Sequence, residues 1–361
     1  LEAGCSMQIT DFMAAVAKAC ADEQGMAFKA VPGTFTLGVA AKTAAADSKA
    51  ATAEADGLVA MYSDIACAVV ADGKVIATLN DAIQPKITVD VEGKIVGSEF
   101  KGTKRELKSG YGMEGKVDNN GDGVMKEWYE QTKAFEAYVV GKTVAEVEAI
   151  ETKEANGHQI AVDQALLDAG CSMQITDFIA AVAAACKDEQ GVSFKTAAEF
   201  TLGVAAKTSA ADSAAATAEA NGTVAMYTDF AAAVVADGKI IAALNDAIQP
   251  KITINAAGEI VEKTYKATKR NLKEEYGMAP ALGYGMDWNG DGKVLEWYLQ
   301  SAEFSKYVVG KSADEVANLA TKEVEGKGYV ISADDALLNA GCTIQITSIK
   351  AVMAQAAKNA R

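Results

Sequence analysis

The sequence predicts an α+β fold built from tandem repeated domains, each an antiparallel meander sheet packed with several helices. A repeated stretch is the first observation: AGCSMQITDF occupies residues 3–12 and 169–178, and the looser copy AGCTIQITSI occupies 340–349. The second observation is that apolar residues alternate with period 2 early in each long segment and recur with helical spacing later. Copies so far apart indicate repetition of a whole domain rather than of a short solenoid unit.

The repeats divide the chain into a tail of a preceding repeat (residues 1–31), a first full domain (32–195) and a second full domain (196–361). An amphipathic helix is predicted in the tail, with its apolar face formed by Ile9, Phe12, Met13 and Val16. That face belongs to no complete domain of the chain. We therefore expect the helix of residues 1–30 to dock on another copy of the protein or on an adjacent repeat, which favours head-to-tail association.

Within the first full domain, a half-buried strand is predicted because apolar residues alternate along it. The residues assigned to one face of this strand are Val59, Met61, Ile65, Cys67 and Val69. Asp72-Gly73 is typical of a two-residue hairpin turn of type I′. The segment NDAIQPKIT occurs unchanged in both copies and predicts a bend or a sheet edge at Pro85 and Pro250.

Helices are predicted after the strands. Residues 127–140 carry aromatic side chains at helical spacing, so we expect Trp128 to lie in the interface between a helix and a sheet. Capping boxes at Thr143–Glu146 and Ser312–Glu315 predict the first turn of a further helix in each copy. The recurring Lys104-Arg105 and Lys269-Arg270 pairs are interpreted as solvated helix faces.

Composition excludes several classes of function. The formal net charge is −15 and the sequence pI is about 4.7, and no basic stripe interrupts this acidity, so nucleic acid is not expected as a partner. No apolar run is long enough to predict a membrane span. His158 is the only histidine and lies in a polar Asn-Gly-His loop, so it is expected to be a solvated loop residue rather than a catalytic base. The sequence therefore predicts a protein that is not an enzyme.

The sharpest motif is a predicted calcium loop with acidic and amide side chains at alternate positions, followed by a turn glycine and a glutamate. Its predicted ligands in the first copy are Asp118, Asn120, Asp122 and Glu127. In the second copy they are Asp287, Asn289, Asp291 and Glu296. The glutamates precede the usual bidentate position, which is taken by tyrosine in both loops. A simple polar turn is the alternative, and the recurrence of the spacing favours calcium.

The DGK hairpin, the later YGM and the ending GCTIQITSIKAV resemble the FMN-binding domains of bacterial electron-transfer subunits and lipoproteins. Family members with covalent flavin carry S-G-A-T-x-T, whose last threonine accepts the phosphate. The corresponding segments here are residues 169–174 and 340–345, with Gln174 and Gln345 at the acceptor position. The resemblance therefore implies a similar fold, while the acceptor for covalent flavin is absent. Thr176 and Thr347 are expected to be helix N-caps.

A disulfide is predicted between Cys67 and Cys186. Cys67 is expected on the apolar face of a strand and Cys186 on the apolar face of the last helix of the same copy. The equivalent positions in the second copy are Ala232 and Ala357, so both cysteines are present together or absent together. A structural disulfide implies an oxidising compartment.

Together these features predict a non-enzymatic structural protein of the cell surface or of an extracellular filament. Calcium loops and the disulfide would stabilise it, and copies of itself would be its partners. Repetition without a catalytic constellation is the basis for this hypothesis. The alternative hypothesis is an FMN-binding electron-transfer protein.

Overall fold

The structure, a computed structural model, describes residues 26–28, 33–114, 118–121, 123, 125–278, 287–288, 290, 292 and 294–360. Helices and antiparallel sheets both occur along these residues, so the predicted α+β class is confirmed. No helix in these ranges is long and apolar enough to cross a membrane. The predicted helix of residues 1–30 lies almost entirely outside the described residues, and its docking stays a prediction.

Strands up to residue 186 are β1 (Met26–Phe28), β2 (Gly33–Ala44), β3 (Gly57–Ala60), β4 (Tyr62–Ala71), β5 (Lys74–Ile83), β6 (Lys86–Val89), β7 (Ile95–Glu99), β8 (Thr152–Ala155) and β9 (His158–Ala161). Those that follow are β10 (Val192–Thr196), β11 (Phe200–Ser209), β12 (Gly222–Ala225), β13 (Tyr227–Ala236), β14 (Lys239–Ile248), β15 (Lys251–Ile254), β16 (Ile260–Thr264), β17 (Thr321–Val324) and β18 (Tyr329–Ser332).

The helices of the first half are α1 (Lys104–Leu107), α2 (Trp128–Val139), α3 (Val144–Glu148), α4 (Gln164–Asp168) and α5 (Thr176–Cys186). Those of the second half are α6 (Lys269–Leu272), α7 (Trp297–Tyr307), α8 (Ala313–Ala317), α9 (Asp335–Asn339) and α10 (Thr347–Asn359). Short 3-10 turns follow α1 and α6, at Lys108–Tyr111 and Lys273–Tyr276. The capping boxes predicted at Thr143 and Ser312 are confirmed.

Two four-stranded antiparallel sheets form the centre of the molecule. Their strand orders are β10-β2-β4-β5 and β1-β11-β13-β14. The inner faces of both sheets contribute to one shared apolar core, which contains Phe35, Phe194 and Phe200. Helices α5 and α10 cover the outer faces of the first and the second sheet. The layers are therefore helix, sheet, sheet and helix, and the two halves meet sheet to sheet.

Each main sheet includes one strand from outside its own half. β10, which precedes the second half, belongs to the first sheet, and β1, which precedes the first half, belongs to the second sheet. β10 pairs with β2, with Phe194 opposite Phe35, and β1 pairs with β11, with Phe28 opposite Phe200. The predicted boundary at residue 195 falls inside β10. The domain limits proposed from the sequence therefore stay a prediction.

The predicted single strand from Val59 to Val69 is divided in two. β3 ends at Ala60 and pairs with β6 in a small sheet β3-β6-β7, whereas β4 pairs with β2 and β5 in the main sheet. Val59 and Met61 accordingly pack in a separate apolar cluster with the matching small sheet β12-β15-β16. The predicted Asp72-Gly73 turn is confirmed, since both residues have positive φ (50° and 72°) between β4 and β5.

The predicted Cys67–Cys186 disulfide is absent, because the structure contains both residues as free cysteines. Cys67 faces the core shared by the two sheets, next to Ile65 and Val69. Cys186 packs on the opposite side of the same sheet, in the layer between β4 and α5. Successive residues of a strand point to opposite faces. The helix covers the face formed by Ala66 and Ala68, so the premise that both thiols enter one core is wrong.

The Lys104-Arg105 and Lys269-Arg270 pairs are buried rather than solvated, which corrects the sequence-based interpretation. Arg105 Nη1 lies 2.7 Å from Glu136 Oε1 inside the first half. Serine replaces that glutamate in the second half, and Arg270 Nη1 instead lies 2.9 Å from Asp188 Oδ2 in the segment between α5 and β10. Asp188 Oδ2 also accepts the N–H of Val39 at 3.1 Å, so one carboxylate joins β2, the connecting segment and α6.

Replacing Asp188 with asparagine is expected to lower the free energy of unfolding by about 3–5 kcal/mol, because it leaves the Arg270 charge buried without its carboxylate. Urea denaturation followed by circular dichroism measures the loss. The matched control is Glu189→Gln, which removes only the solvent-exposed pair with Lys273 and should leave the midpoint nearly unchanged. Equal midpoints for Asp188→Asn and Glu189→Gln would contradict the role of the buried pair.

Candidate ligand-binding site

A cavity of about 630 Å³ opens in the first half, where the ends of β4 and β5, α1 and the start of α5 converge. Its walls combine aromatic and methionine side chains with charged groups. The apolar wall includes Met61, Tyr62, Tyr111, Met113, Trp128, Met173 and Phe178. The charged or ionisable wall includes Asp47, Asp64, Lys86, Lys104, His158 and Asp177.

Lys104 enters this cavity from the first turn of α1. Its Nζ donates a hydrogen bond to the Tyr62 hydroxyl at 2.9 Å. The same atom lies 4.5 Å from the ring centroids of Tyr62 and Tyr111 and 5.3 Å from that of Trp128. Electron-rich ring faces stabilise a cation that has left water, which explains how the ammonium group is accommodated at 5% exposure. Trp128 is buried beneath it, as predicted for the helix–sheet interface.

The second half repeats this arrangement around Lys269. Its Nζ lies 4.4 Å from the ring centroid of Tyr227, 4.5 Å from Tyr276 and 5.1 Å from Trp297, and it donates to the Tyr227 hydroxyl. Burial lowers the pKa of Lys269 to about 7, although neighbouring carboxylates oppose this shift. The cation-and-ring cluster is therefore a common structural feature of both halves rather than a distinguishing property of the cavity.

The two halves differ at a buried aspartate beside this cluster. In the second half, Asp229 Oδ2 accepts a hydrogen bond from the Ser348 hydroxyl at 2.5 Å. In the first half, Asp64 is 4% exposed, and its Oδ1 has no hydrogen-bond partner among the described residues. The position of Ser348 is held here by Asp177, in the first turn of α5. Asp177 therefore places a second carboxylate at the position from which the Ser348 hydroxyl donates to Asp229 in the second half.

Burial is the main cause that raises the pKa of Asp64 to about 7, and the negative charge of Asp177 raises it further. Lys104, Lys42 and the hydrogen bond from the Tyr62 hydroxyl lower the pKa of Asp64 and only partly offset the burial. Asp177 is half-exposed, and its Oδ1 lies 3.3 Å from Lys42 Nζ at the surface. The cavity thus contains a carboxyl group that changes its charge near neutral pH.

The AGCSMQ segment, which carries the resemblance to FMN-binding domains, reaches the same cavity. Met173 and Gln174 line it, and Gln131 Oε1 accepts the N–H groups of Ser172 and Met173, both at 2.9 Å. Thr176 is the first residue of α5 rather than its N-cap, because Ile175 occupies the cap position without a side-chain hydrogen bond. Thr347 likewise begins α10 after Ile346, so both predicted threonine caps are wrong.

His158 begins β9 and forms part of the exposed cavity wall. On the same side, Asn119 contributes to the wall and its Nδ2 donates to Ser172 O at 3.0 Å. The corresponding second-half residues are Trp288 and Tyr329, whose ring centroids are 5.7 Å apart. Two large rings therefore pack together where the first half has an amide and an imidazole.

The predicted calcium loops are only partly described, since Asp122, Asn289 and Asp291 lie outside the described residues. Asp118 accepts the N–H of Asn120 at 3.1 Å and that of Gly123 at 2.6 Å. Asp287 accepts the N–H groups of Gly290 and Gly292 at 2.8 and 2.9 Å. Both aspartates thus organise their turns. No group of three or more candidate metal-binding side chains occurs among the residues that are described, and the calcium prediction stays untested.

Glu127 and Glu296, the glutamates of these loops, are buried at the N-termini of α2 and α7. Glu127 accepts the N–H of Met113 at 2.9 Å and that of Glu114 at 3.1 Å. Glu296 similarly accepts the N–H of Met278 at 2.9 Å. Each glutamate therefore ties the segment after the 3-10 turn to the following helix, which is a structural role that needs no ion.

The sequence singled out the AGCSMQ segment and predicted Trp128 as a core residue, whereas Asp64, Tyr62 and Asp177 were missed as parts of a candidate site. A signal for them exists in the repeats. Tyr62-Ser63-Asp64 recurs as Tyr227-Thr228-Asp229. In contrast, Asp177, in the first turn of the last helix of the first half, is replaced by Ser348 in the second half. Comparison of the chain with family models, curated proteins and solved structures finds no match.

If the loops bind calcium, the melting temperature is expected to rise with the logarithm of free calcium, because the ion binds only the folded state. Differential scanning calorimetry in chelator and in millimolar calcium, with magnesium as the ionic control, measures this effect. Asp118→Asn removes ligand charge and one of the two acceptors of the turn, so it should lower the melting temperature slightly in chelator and also reduce the rise caused by calcium. Identical melting temperatures of the wild-type protein in chelator and calcium would show that the loops are ordinary turns.

Proposed function

We propose that this chain is a non-enzymatic binding protein that holds a small organic molecule in the cavity of its first half. One observation carries the proposal: the buried Asp64 carboxylate has an oxygen without a hydrogen-bond partner in the described structure, and this residue lines the cavity. Buried polar atoms are almost always hydrogen-bonded, and leaving one unsatisfied costs about 1–3 kcal/mol. A bound ligand with a suitable donor would remove that cost.

The size and lining of the cavity support the same conclusion. A volume of about 630 Å³ lies within the range of small-molecule sites, which are mostly apolar with a few placed polar groups. Trp128 and Phe178, in edge-to-face contact with centroids 5.6 Å apart, form a rigid aromatic wall. Tyr62 and Asp64 add polar atoms next to it.

FMN is a second candidate ligand, favoured by the position of Met173 and Gln174 on the cavity wall. These residues belong to the segment that resembles the flavin-attachment motif. Against this candidate, Asp64 and Asp177 would repel a phosphate bound beside them. We therefore rank an uncharged or cationic ligand above the flavin phosphate.

A structural role in a calcium-stabilised surface or extracellular assembly is compatible with ligand binding and remains a proposal. It is supported by the joint core of the two halves and by the strand that each main sheet receives from a connecting segment. The free state of Cys67 and Cys186 removes the disulfide as a reason to place the protein in an oxidising compartment.

Ligand-observed NMR on the full chain tests the cavity proposal with a panel of aromatic fragments bearing amine, amide or carboxylate groups. We expect fragments to bind the wild-type protein. Their binding should be lost in Ala44→Trp, because this substitution adds a large ring to the exposed cavity wall. Ser209→Trp is the matched control, because Ser209 is the equivalent exposed residue of β11. Absence of binding, or binding unaffected by Ala44→Trp, would refute the proposal.

FMN fluorescence separates the two ligand classes. If FMN is the ligand, titration with wild-type protein should quench its fluorescence, and Ala44→Trp should abolish this quenching. If the site prefers uncharged or cationic molecules, FMN fluorescence stays unchanged while the fragments still bind. A flavin absorption band in the purified protein would favour FMN directly.

A further inference from the structure

Asp64 and Asp177 line the same cavity, one buried on β4 and the other half-exposed on the first turn of α5. Acidic residues near one another are common on protein surfaces and alone indicate no site. Here a second observation applies, because Asp64 is 4% exposed and its Oδ1 has no hydrogen-bond partner among the residues described. This atom needs a donor that the described protein does not supply.

The second half shows what a satisfied version of this arrangement requires. There the Ser348 hydroxyl donates to Asp229 across the equivalent contact between strand and helix. Asp177 in place of that serine removes the donor and adds a negative charge, which is paired with the exposed Lys42 Nζ at 3.3 Å. A neutral hydroxyl suffices for one carboxylate, whereas two carboxylates are best satisfied by a group that is both a donor and a cation.

We propose that the ligand of this cavity carries an ammonium or amidinium group, which binds between Asp64 and Asp177 while its apolar part packs on the aromatic wall. This inference rests on the proposed small-molecule function and specifies the ligand class. Trp128 and Phe178 supply the wall, and Met173 extends it.

The groups around Asp64 determine how binding depends on pH. Asp177 faces it from α5 and disfavours its charge, whereas Lys104 from α1, Lys42 from β2 and the Tyr62 hydroxyl favour it. Only the ionised carboxylate pairs fully with an organic cation. Because the pKa of the free Asp64 is raised to about 7, amine affinity is expected to increase about tenfold from about pH 6 to about pH 8.

Isothermal titration calorimetry with the full chain tests the inference, using three probes that share a phenyl ring and a short linker. The probes are 2-phenylethylamine, the neutral 3-phenylpropionamide and the anionic 3-phenylpropionate. We expect the amine to bind about tenfold or more tightly than the amide at slightly alkaline pH, since its contacts with the carboxylates are charge-assisted. The anion should bind most weakly.

Two variants and one control test whether the amine binds between Asp64 and Asp177. Asp64→Asn and Asp177→Ser should each weaken the amine about tenfold or more and flatten its pH dependence, with little effect on the amide. Asp177→Ser copies the residue of the second half, so it also tests whether an internal hydroxyl satisfies Asp64. Asp229→Asn, in the other half, should leave amine binding unchanged, and circular dichroism verifies that each variant is folded.

The outcomes separate this inference from the proposed function. If the amide or the carboxylate binds as tightly as the amine and Ala44→Trp blocks it, the cavity is a binding site but the cationic ligand class is wrong. If the amine binds equally well to Asp64→Asn and Asp177→Ser, the carboxylate pair is not its site. If none of the three probes binds while fragments of the NMR panel still do, the cationic ligand class is wrong and the proposed function stands; if neither the probes nor the panel binds, both fail.

Discussion

Face-to-face packing of the two main sheets is the contact on which the rest of the structure depends. Its core draws on both halves, and three phenylalanines from β2, β10 and β11 meet in it. Phe35 lies 5.5 Å from Phe194 and 5.3 Å from Phe200, and the last two are 5.6 Å apart, measured between ring centroids. Neither sheet can expose this face to water without losing the burial of its largest side chains. The halves are therefore coupled through apolar surface as well as through the Arg270–Asp188 ion pair.

The outer faces of the sheets follow a different packing rule, in which small residues allow close approach of a helix. A Cβ atom added to Gly38 would lie 2.1 Å from Ala185 O, and one added to Gly203 would lie 2.1 Å from Ala356 O. No side chain fits at that distance, so glycine is required where each helix crosses its strand. Alanines on the same face, such as Ala66 and Ala68, continue this close packing.

The site in the first half arises from a few differences within a conserved arrangement. Both halves bury a lysine among aromatic rings and place an aspartate nearby, and both hold the segment before the last helix with a glutamine. The divergence lies at Asp177 and Ser348, and at the pairs Asn119–Trp288 and His158–Tyr329. These positions contribute to the cavity wall in the first half, together with Tyr62, Asp64 and Lys104, which have equivalents in the second half. Structural similarity of the halves therefore coexists with different side chains at the diverging positions.

Local patterns in the sequence were sufficient to predict the α+β class, the Asp72-Gly73 turn, the Thr143 and Ser312 capping boxes and the buried Trp128. Each depends on residues close together in the chain, where backbone conformation and capping hydrogen bonds arise. Two residues of the cavity wall, Met173 and Gln174, were singled out in the same way, as part of the AGCSMQ segment. Asp64 and Lys104 were not anticipated in this wall, because their burial depends on elements far away in the sequence.

Strand alternation by itself determined that Cys67 shares a face with Ile65 and Val69, and the structure confirms this. Only the tertiary structure decided that this face meets the other sheet while α5 covers the opposite one, separating Cys67 from Cys186. It likewise decided that Arg270 pairs with Asp188 and that Asp64 faces a cavity. The physical reason is that periodicity divides a strand into two faces, whereas the partner of each face is chosen by long-range packing of apolar surface.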